Sequence, residues 1–134
     1  MAASGAVDLA REYWRLMATN DFDAVAAVLA PEFVLDWPQS NERIRGAERV
    51  ARMNREYVAH GPWRFDIVRL FGDADAAVSE VDVSDGVQSA KAISFFTVAH
   101  GRIERIVEFW PEPYPARSER AHLVEAIDAG KQAS

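Results

Sequence analysis

Apolar residues recur with a helical period at the start of the chain. Leu9, Ala10, Tyr13, Leu16 and Met17 form a stripe that excludes Asp8, Glu12 and Arg15, which predicts an amphipathic helix over residues 6–17. Asn20 or Asp21 can cap a second, shorter helix carrying Phe22, Val25, Ala26 and Leu29, with Pro31 as its stop. EFVLDW reads as a short strand and PQSNERIRG as a loop. A third helix over residues 47–59 places Val50, Met53 and Tyr57 on one side before His60-Gly61-Pro62 ends it.

From Trp63 the period changes to two. WRFDIVRLF, AVSEVDVS, AKAISFFTVA and RIERIVEFW read as four strands separated by Gly72-Asp73, Asp85-Gly86 and His100-Gly101. Pro111, Pro113 and Pro115 remove ladder donors and end the sheet, after which residues 118–129 carry a terminal helical pattern. Helices followed by an antiparallel run give an α+β organisation, and 134 residues without a linker or repeat give one domain over 1–134.

Composition narrows the functional classes. The net charge of −6, with scattered Lys and Arg, argues against nucleic acid or an anionic membrane as partner. No apolar run reaches the ~20 residues needed to span a bilayer, and the start has no secretory pattern, so the expectation is a cytoplasmic protein. With no cysteine there is no thiolate nucleophile, disulfide or cysteine-ligated zinc. GxGxxG, GxxxxGK[ST] and HxxxH are also missing, and His60, His100 and His122 occupy a helix end, a turn and the terminal helix, where structural roles suffice. No metal and no cofactor are expected.

The turns imply a register. With two-residue turns at Asp85-Gly86 and His100-Gly101, Asp82 opposes Ser89, Glu80 opposes Lys91 and Ile93 opposes Glu108. One sheet face then gathers Glu80, Asp82, Lys91, Phe95, Glu108 and Trp110, while the other is flatter and apolar, with Val81, Val83, Ala92, Phe96, Val107 and Phe109. Covered by the helices, the mixed face forms a chamber in which burial and neighbouring charge push carboxyl pKa values towards those suited to proton transfer. Glu108 and Asp82 are the candidates for that work. Each acid also has a structural alternative, such as Glu80 paired with Lys91.

Asp36, in LDWP, can end its strand at the chamber as another acid, or cap the turn before Pro38. Tyr13, Trp14, Trp37, Met53, Tyr57 and Trp63, with Phe95 and Trp110, are candidates to line an apolar site, and equally candidates for ordinary core.

The segments EYWRLMATNDFDAVAAVLAPEFVLDWP, WPQSNERIRGAERV and HGRIERIVEFW, in that order, resemble the nuclear transport factor two-like superfamily, particularly its SnoaL-like branch. The resemblance spans nearly the whole chain. It implies a cone-like fold, a curved antiparallel sheet wrapped by N-terminal helices around a pocket, and a homodimer formed through the outer sheet face. Its members include polyketide cyclases, ketosteroid isomerases, dehydratases, epoxide hydrolases and noncatalytic binding proteins. SEVDVS and IVEFW are similar to strands that carry catalytic acids in limonene-epoxide-hydrolase-like members, which implies acidic roles for Asp82 and Glu108. Where those enzymes place an arginine between the acids this chain has Glu80, with Lys91 across the strand. In the cyclases an acid follows the aromatic end of the last strand; here Glu112 follows Trp110-Pro111. The expected ligand is a small apolar organic compound of polyketide, terpene or steroid type. Function stays open between a cofactor-independent acid/base enzyme and a noncatalytic ligand-binding or adaptor protein.

Overall fold

The computed structural model describes residues 5–128. Helix α1, Ala6–Ala18, buries Leu9, Ala10, Tyr13, Leu16 and Met17, the stripe seen in the sequence, together with Ala6 and Trp14. Thr19 closes its end by donating to the Leu16 carbonyl, and Asn20 turns the chain at φ 62°. The second helix is a 3-10 segment, Phe22–Val28, and the chain straightens at Leu29. Pro31 therefore does not end a helix. It lies inside strand β1, Leu29–Trp37, at the interruption of the ladder between Leu29 and Val34, where a missing N–H is tolerated.

The stretch expected as a loop contains strand β2, Glu42–Arg45, antiparallel to β1. Four residues with only Ile44 buried leave too little alternation to be legible. Helix α2, Ala47–Glu56, ends three residues before the expected position, because Tyr57 takes up extended backbone. Strands β3, Arg64–Gly72, β4, Ala76–Ser84, β5, Ser89–Ala99, and β6, Arg102–Phe109, follow the four predicted segments closely.

The six strands form a curved, unclosed sheet in the order β2-β1-β6-β5-β4-β3. It is mixed, since β1 runs parallel to β6. That pairing joins the two halves of the chain and places Asp36 opposite Val107. Helix α1 lies over the inner face, where Tyr13, Phe33, Phe96, Ile103 and Ile106 are among the largest fully buried side chains. Among the described residues, no helix is long and apolar enough to cross a membrane.

The terminal segment departs most from expectation. Ser118–Leu123 is a 3-10 turn that buries nothing, residues 111–128 are exposed throughout, and residue 129 of the predicted helix lies outside the described residues. A helix this short gains its stability from packing its apolar face, and Leu123 and Val124 stay 76% and 53% exposed here.

Candidate functional site

Two turns decide which side chains share a face. Between β4 and β5 the connection is a four-residue loop, in which the Asp85 amide bonds to the Gln88 carbonyl and Ser84 pairs with Ser89. The register thus differs by two residues from the one expected for a two-residue turn. Asp82 opposes Lys91 and Glu80 opposes Ile93, but a shift of two keeps the same side chains of β4 and β5 together on each face.

The β5–β6 turn has the expected two residues, His100 and Gly101, both at positive φ. Directly after it, however, Val98 pairs with Ile103 and Thr97 with Arg105, so Glu104 is an extra, bulged residue. One extra residue inverts the faces of the rest of β6. Glu108 therefore pairs with Ser94, not Ile93, and points to the inner face under α1.

The chamber expected on the face of Glu80, Asp82 and Glu108 is corrected: α1 covers the opposite face, that of Val81, Val83, Ala92 and Phe96, and the bulge brings Glu108 to it. Asp82 is exposed on the outer face and bonded to Lys91, whose Nζ also reaches Glu80. Arg69 completes that cluster at 2.7 Å from Glu80. Hydrogen bonds from Lys91 and Arg69 hold the Glu80 pKa down, and Asp82 and Glu80 raise that of Lys91. Asp36 also faces outwards, where Arg43 holds its pKa down through bonds at 2.6 and 2.9 Å. Phe95 is 47% exposed on this face and packs edge-on against Phe109. Asp82, Asp36, Glu80, Lys91 and Phe95 thus form an ordinary charged and apolar sheet surface, separated from Glu108 by the sheet itself. An open groove of about 920 Å³ on this side runs between Arg43, Arg45, Arg102 and Arg105, but it contains no buried titratable group.

The inner face holds a cavity of about 580 Å³, within the roughly 300–1,000 Å³ usual for small-molecule sites. Tyr13, Trp14, Trp37, Met53, Trp63 and Trp110 line it, as expected, and Tyr57 stands at its exposed rim. Glu108 is its one buried acid, 4% exposed. Ser94 donates to Oε2 at 2.6 Å and the Trp37 indole N–H to Oε1 at 3.0 Å. Burial raises the carboxyl pKa, while the hydrogen bonds from Ser94, Trp37 and Trp110 oppose the rise. Tyr13 is 2% exposed, and its hydroxyl opens onto the cavity with no hydrogen-bond partner among the described residues. Burial, with the Glu108 charge second, raises the Tyr13 pKa well above its ordinary value.

The supporting network was not legible in the sequence. Ser79 and Ser94 are neighbours across β4 and β5, and Ser94 in turn neighbours Glu108 on β6. Ser79 accepts from the Trp14 indole, fixing one wall, while Ser94 holds the acid. At the rim, the Asn20 side chain bonds both the amide and the carbonyl of Trp63. The buried Asp85 accepts from the amides of His60, Val87 and Gln88. Burial alone would raise the Asp85 pKa, but these donors and the Gln88 side chain hold it far below the usual carboxylate range. Asn and Asp beside turns are signals for local capping; nothing in their spacing reveals such distant partners. Among the described residues, no three His, Asp or Glu side chains converge as metal ligands.

Comparison with solved structures gives the same architecture. A "putative ketosteroid isomerase" from Kribbella flavida DSM 17836 is 32% identical, with a TM-score of 0.81 over 94% of this chain and 92% of that one. An NTF-2 like protein of unknown function from Burkholderia xenovorans LB400 is 22% identical, with a TM-score of 0.72 over 90% and 94%. A LEH-like epoxide hydrolase from M. tuberculosis is 23% identical, with a TM-score of 0.63 over 78% and 81%. The last two show likeness of fold alone. Comparison with curated proteins returned no match. The SnoaL-like domain model matches residues 10–106, most of the sheet and of the helices that cover it, and the chain belongs to the SnoaL-like family of the nuclear transport factor two-like fold.

Proposed function

We propose that this chain binds a small, largely apolar organic molecule in the inner cavity and that Glu108 exchanges a proton with it, without a cofactor. One observation carries the reading: Glu108 is a buried carboxylate at an aromatic cavity, with no ion-pair partner among the described residues. Such a group has its pKa raised by burial towards the working range of a general acid or base. Ser94 and Trp37 fix its orientation, so the acid is positioned before a ligand arrives. Isomerisation, cyclisation, dehydration or hydrolysis of a polyketide-, terpene- or steroid-like compound fits this arrangement, and the names of the structural neighbours, a "putative ketosteroid isomerase" and a LEH-like epoxide hydrolase, span two of these classes. Asp82 and Asp36 have no part in it.

A second reading, a noncatalytic binding protein, is favoured by the same contacts. Both Glu108 oxygens already accept hydrogen bonds, as expected of an acid serving the packing of Trp37 and Ser94. A screen of neutral cyclic ketones, enones and epoxides for binding and turnover, followed by Glu108→Gln, separates the two. Retained binding with turnover reduced by about 10²-fold or more supports proton transfer. Unchanged turnover removes Glu108 from the chemistry.

We also propose a homodimer formed through the outer sheet face. Phe71, Val78, Phe95 and Val107 form a continuous cross-strand row there, and Ile93 beside Phe109 extends it. Charged clusters around Glu80 and Asp36 border this exposed apolar surface.

A further inference from the structure

We propose that the ligand taken by this cavity carries an organic cation, an ammonium group held between the tryptophan rings and the Glu108 carboxylate. The inference rests on the cavity being a ligand site, as proposed above, and names the chemical class it selects.

All four tryptophans of the chain line this single cavity. The charged residues of its lining are Glu108 and Glu112, and among the described residues no Lys, Arg or His reaches it, although the chain has 15 Lys and Arg. An anionic ligand would meet carboxylates and no counter-charge. A neutral ligand would leave Glu108 with its hydrogen bonds from Ser94 and Trp37 but with no opposite charge. A cation supplies the missing partner and is attracted to indole faces, where desolvation strengthens the interaction. Tyr13 adds an independent polar contact, since its ring is buried while its hydroxyl, at the cavity lining, makes no hydrogen bond among the described residues.

The titratable groups facing Glu108 across this space are Tyr13 from α1, Tyr57 after α2 and Glu112 after β6; β1, β3, β4 and β5 contribute none to the lining. Cation binding favours the ionised carboxylate. Below the folded-state pKa of Glu108, each bound cation therefore releases a proton from the Glu108 carboxyl to the buffer and leaves that residue as a base beside the ligand.

The test uses phenyltrimethylammonium, which does not titrate, its neutral isostere tert-butylbenzene, and benzoate, in calorimetry with buffers of different ionisation enthalpy. The expected result is cation binding that tightens by up to about tenfold per pH unit below the Glu108 pKa, levels off above it and releases up to one proton. The hydrocarbon should show no pH dependence, and benzoate should not bind. Glu108→Gln, with folding checked by its melting transition, should weaken the cation by more than about tenfold and remove the proton release, leaving the hydrocarbon within about twofold. Glu112→Gln should retain the release. Equal binding of cation and hydrocarbon without proton release overturns the inference while leaving the cavity as a ligand site; failure of all three probes to bind overturns both.

Discussion

Glu108 is held at an electrostatic cost that pH can reveal. Its pKa is raised in the folded protein by burial, so the native state binds more protons than the unfolded chain between the ordinary carboxylate value and the folded one. The stability associated with its protonated form is therefore complete below that window and is lost as pH rises through the folded pKa. Glu108→Gln keeps a neutral group in the same place and should remove this loss. Denaturant titrations at several pH values should show the variant gaining on the parent as pH rises, with the difference constant at the alkaline end; a difference that shrinks with rising pH contradicts the assignment. Asp36 behaves oppositely, since Arg43 holds its pKa down and its contribution is lost as pH falls.

At the scale of the element, one bulged residue directs the acid. Glu104 is exposed and its side chain is dispensable, so Glu104→Ala should change stability by less than about 0.5 kcal/mol. Deleting Glu104 removes the extra residue and leaves Arg105, Ile106, Val107 and Glu108 opposite Thr97, Phe96, Phe95 and Ser94, so Glu108 should keep its inner face. The expected cost stays below about 3 kcal/mol in chemical denaturation, the magnitude of uncovering a buried charge or emptying a core position. A deletion that costs more than this would show that Glu108 needs the extra residue to stay inside. This is also where sequence reading stopped short. His100-Gly101 announces its turn through its residue types, but Glu104 sits in RIERIVEF, where the alternation is ambiguous and a bulge leaves no compositional mark. The Asp85 loop was misjudged in length as well, yet its two-residue shift preserved the faces.

For the whole molecule, the proposed dimer uses the outer face and the proposed chemistry the inner one. Phe95 lies in the centre of the outer apolar row, opposite Val78 and Val107. Phe95→Glu places a charge there without touching the cavity. In the proposed dimer it should weaken association by about 30-fold or more, read by sedimentation equilibrium across a concentration series, while cavity ligand binding stays unchanged. A variant with the parent's association behaviour would place the interface elsewhere. Because the sheet separates the two faces, effects on assembly and on the cavity should be additive in combined variants.

By itself, the sequence determined α1, α2, β1 and β3 to β6 and their order, since the periods of 3.6 and 2 and the turn residues are local signals, while β2 and the terminal 3-10 turn were not legible. It also determined that aromatic side chains and an acid stand near the end of the last strand, and that the chain resembles a fold built around a cavity. Which acid enters the cavity was decided by tertiary structure. Facing depends on the parity of a register, and one bulged residue reverses it without altering any pattern of types. The parallel pairing of β1 with β6, the Ser94 and Trp37 contacts to Glu108, and the consignment of Asp82 and Asp36 to the outer surface all rest on residues distant in sequence, whose meeting is settled only when the sheet closes its ladders and α1 covers one face.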